Sequence, residues 1–134
     1  MKIYFAGSIR GGRMYVKSYA KTIKFLGRFG KVLTKHVGDE NLSHFGEREH
    51  VEKIFARDEK LLKQADFLVA DVTQPSLGVG YEIAVAERMK KKIICLCRKS
   101  KIKRLSPMLR GNRKLKIIYY KNQNDLEGQL ERVL

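Results

Sequence analysis

Short apolar runs alternate with amphipathic stretches along this chain of 134 residues. Val16, Tyr19, Ile23 and Leu26 recur at the three-to-four spacing that is typical of a helix. The run 67–70 is apolar on both faces, which indicates a parallel strand covered by helices on each side. The pattern predicts strands at 2–6, 32–34, 66–71, 92–97 and 115–120, and helices at about 14–29, 48–64, 78–91 and 125–133.

This alternation predicts one doubly wound α/β domain over residues 1–134, with about five parallel strands. In such sheets, ligands bind beyond the carboxyl ends of the strands, at the point where the strand order reverses. Two loops that contain Gly and Ser follow predicted strands, one after Ala6 and one after Asp71. We therefore expect the functional site at these two loops.

The first loop, residues 7–13, reads Gly-Ser-Ile-Arg-Gly-Gly-Arg and opens a predicted helix. Glycines let backbone amides converge on an anion at a helix start, Ser8 adds a hydroxyl donor, and Arg10 suits a bidentate contact to phosphate. The loop is neither the P-loop pattern nor the dinucleotide fingerprint. It fits a tight strand-to-helix turn or a phosphate site, and its position favours the phosphate site.

The second loop, residues 72–77, leads into the third predicted helix. Ser76 suits an N-cap, and Gly78 lets the backbone pass close to a ligand. Glu82 falls in about the first turn, where we expect the positive end of the helix dipole to keep its carboxylate ionised. Such a carboxylate serves as a nucleophile or general base, although the spacing also fits a glutamate that merely favours a helix start.

Two further polar residues lie in apolar patterns. Asp58 falls in the apolar stripe of its helix, four residues after Ile54, where a carboxylate is costly unless it is partnered or functional. Tyr4 lies inside the first strand, as a core residue or as a phenol at the ligand edge. Two carboxylates and a phenol at one crevice are the ingredients of glycosidic cleavage.

The formal net charge of +15 is concentrated in one segment. Residues 88–116 contain 13 basic residues and no acidic one, whereas the other 105 residues hold 16 basic and 14 acidic. Such a block is a solvated or steering face, a phosphate contact or a nucleic-acid surface. The sequence disfavours nucleic acid among the three, because no aromatic residue interrupts residues 88–116 to stack on bases.

The remaining composition narrows the class of protein. No apolar run approaches the ~20 residues of a membrane span, and the first strand begins too early for a signal peptide. Cys95 and Cys97 point to one face of a strand, so we expect reduced core thiols in a cytoplasmic protein, with the nucleus left open. His36, His44 and these cysteines lack zinc spacing, and we expect no metal and no cofactor.

Three strings of residues resemble those of a known family. They are Tyr-Phe-Ala-Gly-Ser-Ile-Arg-Gly-Gly-Arg at 4–13, Phe-Gly-Lys-Val-Leu-Thr-Lys-His-Val at 29–37 and Val-Thr-Gln-Pro-Ser-Leu-Gly-Val-Gly-Tyr-Glu at 72–82. They resemble the 2'-deoxynucleoside 5'-phosphate N-hydrolases of the nucleoside 2-deoxyribosyltransferase superfamily. The resemblance runs from Tyr4 to about Gly111. It implies a flavodoxin-like, Rossmann-like fold, a homodimer, and hydrolysis of deoxynucleoside 5'-monophosphates to free base and deoxyribose 5-phosphate.

The resemblance also implies roles for individual residues. Glu82 would be the nucleophile that forms a covalent deoxyribosyl intermediate, Tyr4 would orient it, and Asp58 would position the sugar or assist proton transfer. Ser106 would complete the phosphate site of the neighbouring subunit, Met108 would approach its sugar or base, and His36 would line the base pocket or face solvent. The substrate-binding set is Gly7, Ser8, Ile9, Arg10, Gly11, Gly12, Arg13, His36, Ser76, Gly78, Ser106 and Met108.

Two other functions remain open at this point. A nucleoside 2-deoxyribosyltransferase would share the carboxylates and the fold, but it need only recognise a 5'-hydroxyl. Arg10 in a Gly-Gly loop and serines directed at one anion favour the phosphate-dependent hydrolase. A non-catalytic module that binds nucleotide or nucleic acid through residues 88–116 would instead show steeply salt-dependent binding without release of base.

Overall fold

A five-stranded, all-parallel sheet with the order β2-β1-β3-β4-β5 forms the centre of the protein. The computed structural model describes residues 1–43 and 45–134, so His44 lies outside the described residues. The strands are β1 (Lys2–Ala6), β2 (Lys31–Val32), β3 (Phe67–Asp71), β4 (Lys92–Arg98) and β5 (Lys116–Tyr120). The helices are α1 (Val16–Leu26), α2 (Val51–Gln64), α3 (Leu77–Arg88), α4 (Pro107–Arg110) and α5 (Gln123–Val133).

Helices cover both faces of the sheet, as the doubly wound prediction requires. Ile3 and Phe5 of β1 pack in one apolar cluster with residues of α1 and α5. Tyr4 and Ala6 point the opposite way and pack in a second cluster with residues of α2 and α3. This alternation follows from the two-residue period of a strand, and it directs Tyr4 toward α2 and α3.

The strand order reverses between β1 and β3. The chain passes from β1 to the edge strand β2 and then returns to pair β3 along the other side of β1, with Tyr4 opposite Leu68. The loops after Ala6 and Asp71 therefore leave neighbouring strands in diverging directions, which opens a crevice between them. The predicted fold class is confirmed, and this crevice lies at the edge of the sheet where we expect the ligand.

The second strand is shorter than its apolar pattern predicts. It covers Lys31–Val32 rather than 32–34, because the Thr34 side chain takes over the next backbone groups of β1. The Thr34 hydroxyl donates to the carbonyl of Phe5 at 2.6 Å and accepts from its N–H at 2.8 Å. A buried hydroxyl thus replaces one step of the backbone ladder.

Three short helical segments lie within stretches that we predict as loops. They are α4 and the 3₁₀ helices Lys35–Gly38 and Lys99–Arg104. Segments of only one or two turns leave too few apolar positions for a periodic signal. Most of the segment 88–116 is thus ordered secondary structure.

Cys95 and Cys97 are buried and unbridged on the face covered by α2 and α3, as their spacing predicts. Burial raises the pKa of Cys95 to about 12 and that of Cys97 to about 11, so both thiols stay protonated. Among the described residues, no helix combines the length and the apolar character that a membrane crossing requires.

Candidate active site

The loops after β1 and β3 contact each other at the carboxyl edge of the sheet. The side-chain amide of Gln74 donates to the carbonyl oxygen of Gly11 at 3.0 Å. A Cβ atom built on Gly11 would lie only 2.8 Å from the carbonyl oxygen of Pro75. The close approach of these two loops therefore requires glycine at position 11.

A cavity of about 270 Å³ opens beside these loops, between β1, α2 and α3. All three candidate catalytic residues, Tyr4, Asp58 and Glu82, line it together with Arg10 and Gly78. They come from three separate elements, and the reversal of the strand order brings them together. The apolar part of the lining comes from the same two helices and consists of Val51, Ile54, Phe55, Leu62, Tyr81 and Val85.

Tyr4 and Glu82 are joined by a side-chain hydrogen bond inside the cavity. Tyr4 is 2% exposed, and burial together with the nearby carboxylates of Glu82 and Asp58 raises the pKa of its phenol far above the usual value. The phenol therefore stays protonated and donates to the Glu82 carboxylate. This contact connects β1 to α3 inside the cavity.

The ionisation state of Glu82 differs from the expectation based on its helix. Burial raises its pKa from 4.5 to about 7, and the charge of Asp58 adds to the rise, whereas the Tyr4 hydrogen bond lowers it. Helix α3 begins at Leu77, so Glu82 lies in the second turn, beyond the reach of the helix dipole. The expectation that the helix dipole keeps Glu82 ionised is wrong, because burial raises the pKa of this carboxyl group instead.

Asp58 is accompanied by a charged network that the sequence does not reveal. The guanidinium of Arg57 lies 2.9 Å from Asp58 Oδ1 and binds both carboxylate oxygens of Glu47 at 2.7 Å. The interaction with Arg57 lowers the pKa of Glu47 below its usual value. Glu47 precedes α2 in a loop without periodicity, so no pattern in the sequence indicates this contact.

His36 lies beside the same network rather than on the cavity wall. Its Nε2 atom is 3.3 Å from Arg57 Nη2. Because a guanidinium only donates, Nε2 accepts this contact and the ring proton resides on Nδ1. Burial lowers the pKa of His36, which favours the neutral ring.

The first loop places its residues in different surroundings. Arg10 is exposed and lines the cavity, and Gly12 has a φ of 131°, a conformation that glycine adopts without strain. Ser8 is fully buried, and its hydroxyl has no hydrogen-bond partner among the described residues. Gly11 is its close neighbour, since a Cβ there would lie 2.8 Å from Ser8 Oγ.

Ile9 and Arg13 of the same loop point elsewhere. Ile9 packs against the apolar cluster under α1 and α5. Arg13 donates to the backbone carbonyls of Ser8, Asp39 and Leu42, at 3.1, 2.8 and 3.0 Å. Arg13 thus ties the first loop to the segment after β2.

Ser76 and Gly78 lie where the second loop joins helix α3. The Ser76 hydroxyl accepts a hydrogen bond from the N–H of Val79 at 3.3 Å, which makes Ser76 the predicted N-cap of α3. A Cβ on Gly78 would lie 3.9 Å from Ser76 Oγ and 4.0 Å from Glu82 Oε1. Gly78 thus leaves room for a ligand beside the two side chains.

Ser106 and Met108 lie apart from the cavity of their own chain. Ser106 caps α4 by accepting from the N–H of Met108 at 3.2 Å, and the Met108 side chain is 81% exposed. Asp71, which the apolar pattern of β3 conceals, is buried on the opposite face of the sheet and accepts a hydrogen bond from the Tyr120 hydroxyl at 2.8 Å. No three His, Cys, Asp or Glu side chains come together as a metal site in the part of the chain that the structure describes.

These features define a doubly wound α/β protein whose candidate active site combines two carboxylates and a buried phenol at the switch point of the sheet. The family model described as nucleoside 2-deoxyribosyltransferase matches residues 3–126. The chain belongs to the nucleoside 2-deoxyribosyltransferase family.

Several known proteins are similar to this chain. A protein from Tetraodon nigroviridis named 5-hydroxymethyl-dUMP N-hydrolase is 51% identical over 115 residues, which cover 83% of this chain and 80% of that protein. A putative 2'-deoxynucleoside 5'-phosphate N-hydrolase 1 from Syntrophotalea carbinolica is 40% identical over 126 residues, covering 94% and 89%. The structure of the Clostridium botulinum CMP N-glycosidase BcmB matches with a TM-score of 0.73 over the whole of both chains at 20% identity, which shows the shared fold.

Proposed function

We propose that this protein hydrolyses the N-glycosidic bond of 2'-deoxynucleoside 5'-monophosphates to free base and 2-deoxyribose 5-phosphate. The observation that carries the proposal is the convergence of Tyr4, Asp58 and Glu82 on one cavity, with Arg10 at its rim. The names of relatives at about half identity over most of the chain support the same reaction class. The apolar wall of the cavity suits a nucleobase.

The geometry supports a two-step reaction through Glu82. In the first step, a carboxylate oxygen of Glu82 attacks the anomeric carbon while the bond to the base nitrogen breaks, and the base leaves with the bonding electrons. Asp58 positions the sugar or assists the transfer of a proton to the base. In the second step, water attacks the same carbon and loses a proton to Asp58 or to solvent, which balances the proton taken up by the base. The ester bond to Glu82 breaks, and the carboxylate is restored.

The first loop supplies the candidate phosphate site. Arg10 reaches into the cavity rim, and Ser8 has a hydroxyl without a partner, a group that gains about 1–3 kcal/mol when a buried donor is satisfied. The amides of Gly11 and Gly12 lie in the same turn, Ser76 of the second loop lies beside Gly11, and Gly78 lies beside Ser76. A phosphate bound there would place the sugar between Asp58 and Glu82.

We also propose that two copies of the chain form the working unit. Val51, Phe55 and Tyr81 are more than half exposed next to the cavity, and Leu77 is 97% exposed. Phe55 and Tyr81 contact each other edge to face at 6.3 Å. A second copy would cover this apolar face, which would bring Ser106 to the partner's phosphate and Met108 to its sugar or base.

The two cysteines are buried and unbridged, which fits a reducing compartment such as the cytoplasm.

A chromatographic assay of base release tests the reaction. The protein is incubated with a panel of deoxynucleoside 5'-monophosphates and with the matching deoxynucleosides, each with and without a second free base. We expect release of base from the monophosphates, with deoxyribose 5-phosphate in equal amount. Preference for unphosphorylated deoxynucleosides together with transfer to the added base would assign the protein to the transferases instead.

The substitution Arg10→Gln tests the phosphate site in the same assay. We expect a rise in KM for monophosphates of about tenfold or more, because a charge-assisted contact is worth about 1.5–3 kcal/mol. Cleavage of the unphosphorylated deoxynucleoside, measured as the control, should be unaffected. Equal losses on both substrates would assign Arg10 to the shape of the cavity rather than to phosphate.

A further inference from the structure

Arg57 lies on α2 between the loop that precedes this helix and the cavity, and it contacts ionisable groups from three parts of the chain. It binds Glu47 of the loop before α2, Asp58 of its own helix, and His36 of the 3₁₀ helix after β2. Its Nη1 and Nη2 atoms each donate to one oxygen of Glu47 at 2.7 Å, the geometry of a two-point ion pair. These bonds to Glu47 and Asp58 raise the pKa of Arg57, so it is always charged.

The contact between Arg57 and Asp58 does not follow from helix geometry alone. Side chains at adjacent helical positions point about 100° apart and do not face each other. Here Arg57 Nε and Nη2 nevertheless reach the same oxygen of Asp58, at 3.0 and 2.9 Å. The fork with Glu47 holds the guanidinium in the position from which it reaches back to Asp58.

The side chains of this network are only partly exposed. Glu47 retains 20% of its side-chain exposure, Asp58 27% and Arg57 38%. Isolated surface ion pairs contribute about 0–1 kcal/mol, but the short bidentate contact and the shared guanidinium make this an ordered network. One oxygen of Asp58 is thereby committed to Arg57, and the side chain lines the cavity in a fixed orientation.

We propose that Arg57 is a positioning residue for the reaction, held in place by Glu47 and acting through the carboxylate of Asp58. This inference rests on the proposed function and adds to it two residues, Arg57 and Glu47, that touch neither sugar nor base. Arg57 keeps Asp58 directed at the sugar, and Glu47 keeps Arg57 from swinging out to solvent. The segment before α2 is thus part of the catalytic architecture.

The same segment also touches the candidate phosphate site. Gly46 has a φ of 81°, and a Cβ built on it would lie 3.1 Å from Arg10 Nε. The dipeptide Gly46-Glu47 therefore lies between Arg10 on one side and Arg57 on the other.

The test compares Arg57→Gln, Glu47→Gln and the double variant by kcat and KM on a monophosphate that the wild type cleaves. We expect Arg57→Gln to lower kcat about tenfold or more with KM changed less than about threefold, because orientation of a reacting group acts on the barrier and not on binding. Glu47→Gln should lower kcat by a smaller factor, and the double variant should match Arg57→Gln alone. Arg57→Lys should recover part of kcat, since a lysine supplies the charge without the fork.

Two controls separate positioning from stability. Lys53 is another cation of α2, and its Nζ atom lies 4.0 Å from Oε1 of Glu49 in the loop before the helix. The substitution Lys53→Gln should leave kcat, KM and the melting temperature unchanged. Thermal unfolding of every variant shows whether kcat follows the folded fraction. A loss of kcat that disappears after correction for folded protein, or multiplicative effects of Arg57→Gln and Glu47→Gln, would overturn the inference.

A second cycle identifies the group through which Arg57 acts. With enzyme in excess over nucleotide, slow cleavage is measured for Asp58→Asn with and without Arg57→Gln. Arg57→Gln should have less than about a twofold effect in the Asp58→Asn background. An undiminished effect there would assign the action of Arg57 to His36 instead and would refute the proposal. Absence of base release in the wild type would refute the proposed function itself, which is a separate outcome.

Discussion

The hydroxyl of Tyr4 donates a hydrogen bond to the carboxylate of Glu82, and this bond connects the central strand β1 to helix α3 inside the cavity. The phenol remains protonated because burial raises its pKa far above the usual value. The carboxylate experiences two opposed effects, since burial raises its pKa to about 7 while the phenol lowers it. The balance between these effects sets the pH at which the nucleophile is available.

Replacement of Tyr4 by Phe should move the acidic limb of the pH profile of kcat/KM to higher pH. In the wild type we expect that limb near pH 7, because only the ionised Glu82 attacks. Without the phenol the pKa of Glu82 rises further, and activity at pH 6 should fall more than activity at pH 9. The substrate phosphate titrates identically with both proteins, so an unshifted limb would show that Tyr4 does not control the nucleophile.

The substitution Glu82→Gln should abolish turnover and stabilise the fold at alkaline pH. A carboxyl group with a folded pKa of about 7 against an ordinary 4.5 supports the folded state at low pH, and this support is lost as pH rises from about 4.5 to about 7. The neutral amide avoids that cost, so the free energy of unfolding at pH 8 should rise by up to about 3 kcal/mol, with little change at pH 4. Urea unfolding at both pH values measures this difference, and nucleotide binding provides the check on the site. Retained turnover would remove Glu82 as the nucleophile.

The sequence predicts more of this site than of its surroundings. Five strands and the crevice between β1 and β3 follow from apolar periodicity, and Asp58 stands out as a carboxylate in an apolar stripe. The pKa of Glu82 could not be predicted, because its burial depends on walls contributed by other elements. The hydrogen bonds between Arg57 and Glu47 could not be predicted either, because Glu47 lies in an aperiodic loop ten positions before Arg57.

The role of Arg13 shows the same limit. The resemblance places it in the substrate-binding set together with Arg10. In the structure its donors are directed at the carbonyls of Ser8, Asp39 and Leu42. Composition identifies a cation near a loop, but only the tertiary path of the chain decides which acceptors it meets.

The basic segment 88–116 should make the capture of substrate sensitive to salt. None of the salt bridges among the described residues involves its 13 cations, so their field is not neutralised by local ion pairs. We expect kcat/KM for a monophosphate to fall at least about threefold between about 50 and 500 mM salt, while kcat stays constant. The uncharged deoxynucleoside is the control substrate. Equal salt dependence for both substrates would contradict electrostatic steering.

A negative charge at position 77 should separate the proposed dimer. Leu77 is 97% exposed at the first position of α3, where an aspartate favours the helix dipole and should leave the monomer folded. We expect Leu77→Asp to lower the sedimentation coefficient and to reduce turnover, because each site would lose the partner's Ser106. The matched control is Met14→Asp, at another exposed apolar residue, which lies just before α1. This variant should stay dimeric. A monomeric wild type would refute the dimer directly.

Mixing two inactive variants should restore activity if Ser106 serves the neighbouring subunit. We expect Ser106→Ala to weaken the phosphate site and Glu82→Gln to lack the nucleophile, so neither homodimer should turn over monophosphate well. In a mixed dimer, one site combines the intact Glu82 of one chain with the intact Ser106 of the other. After exchange of subunits in equal amounts, roughly a quarter of the wild-type rate should appear, because half of the dimers are mixed and each carries one intact site. If the mixture shows only the mean of the two separate rates, Ser106 does not serve the partner's site. Each chain would then work with its own Ser106 or without that residue.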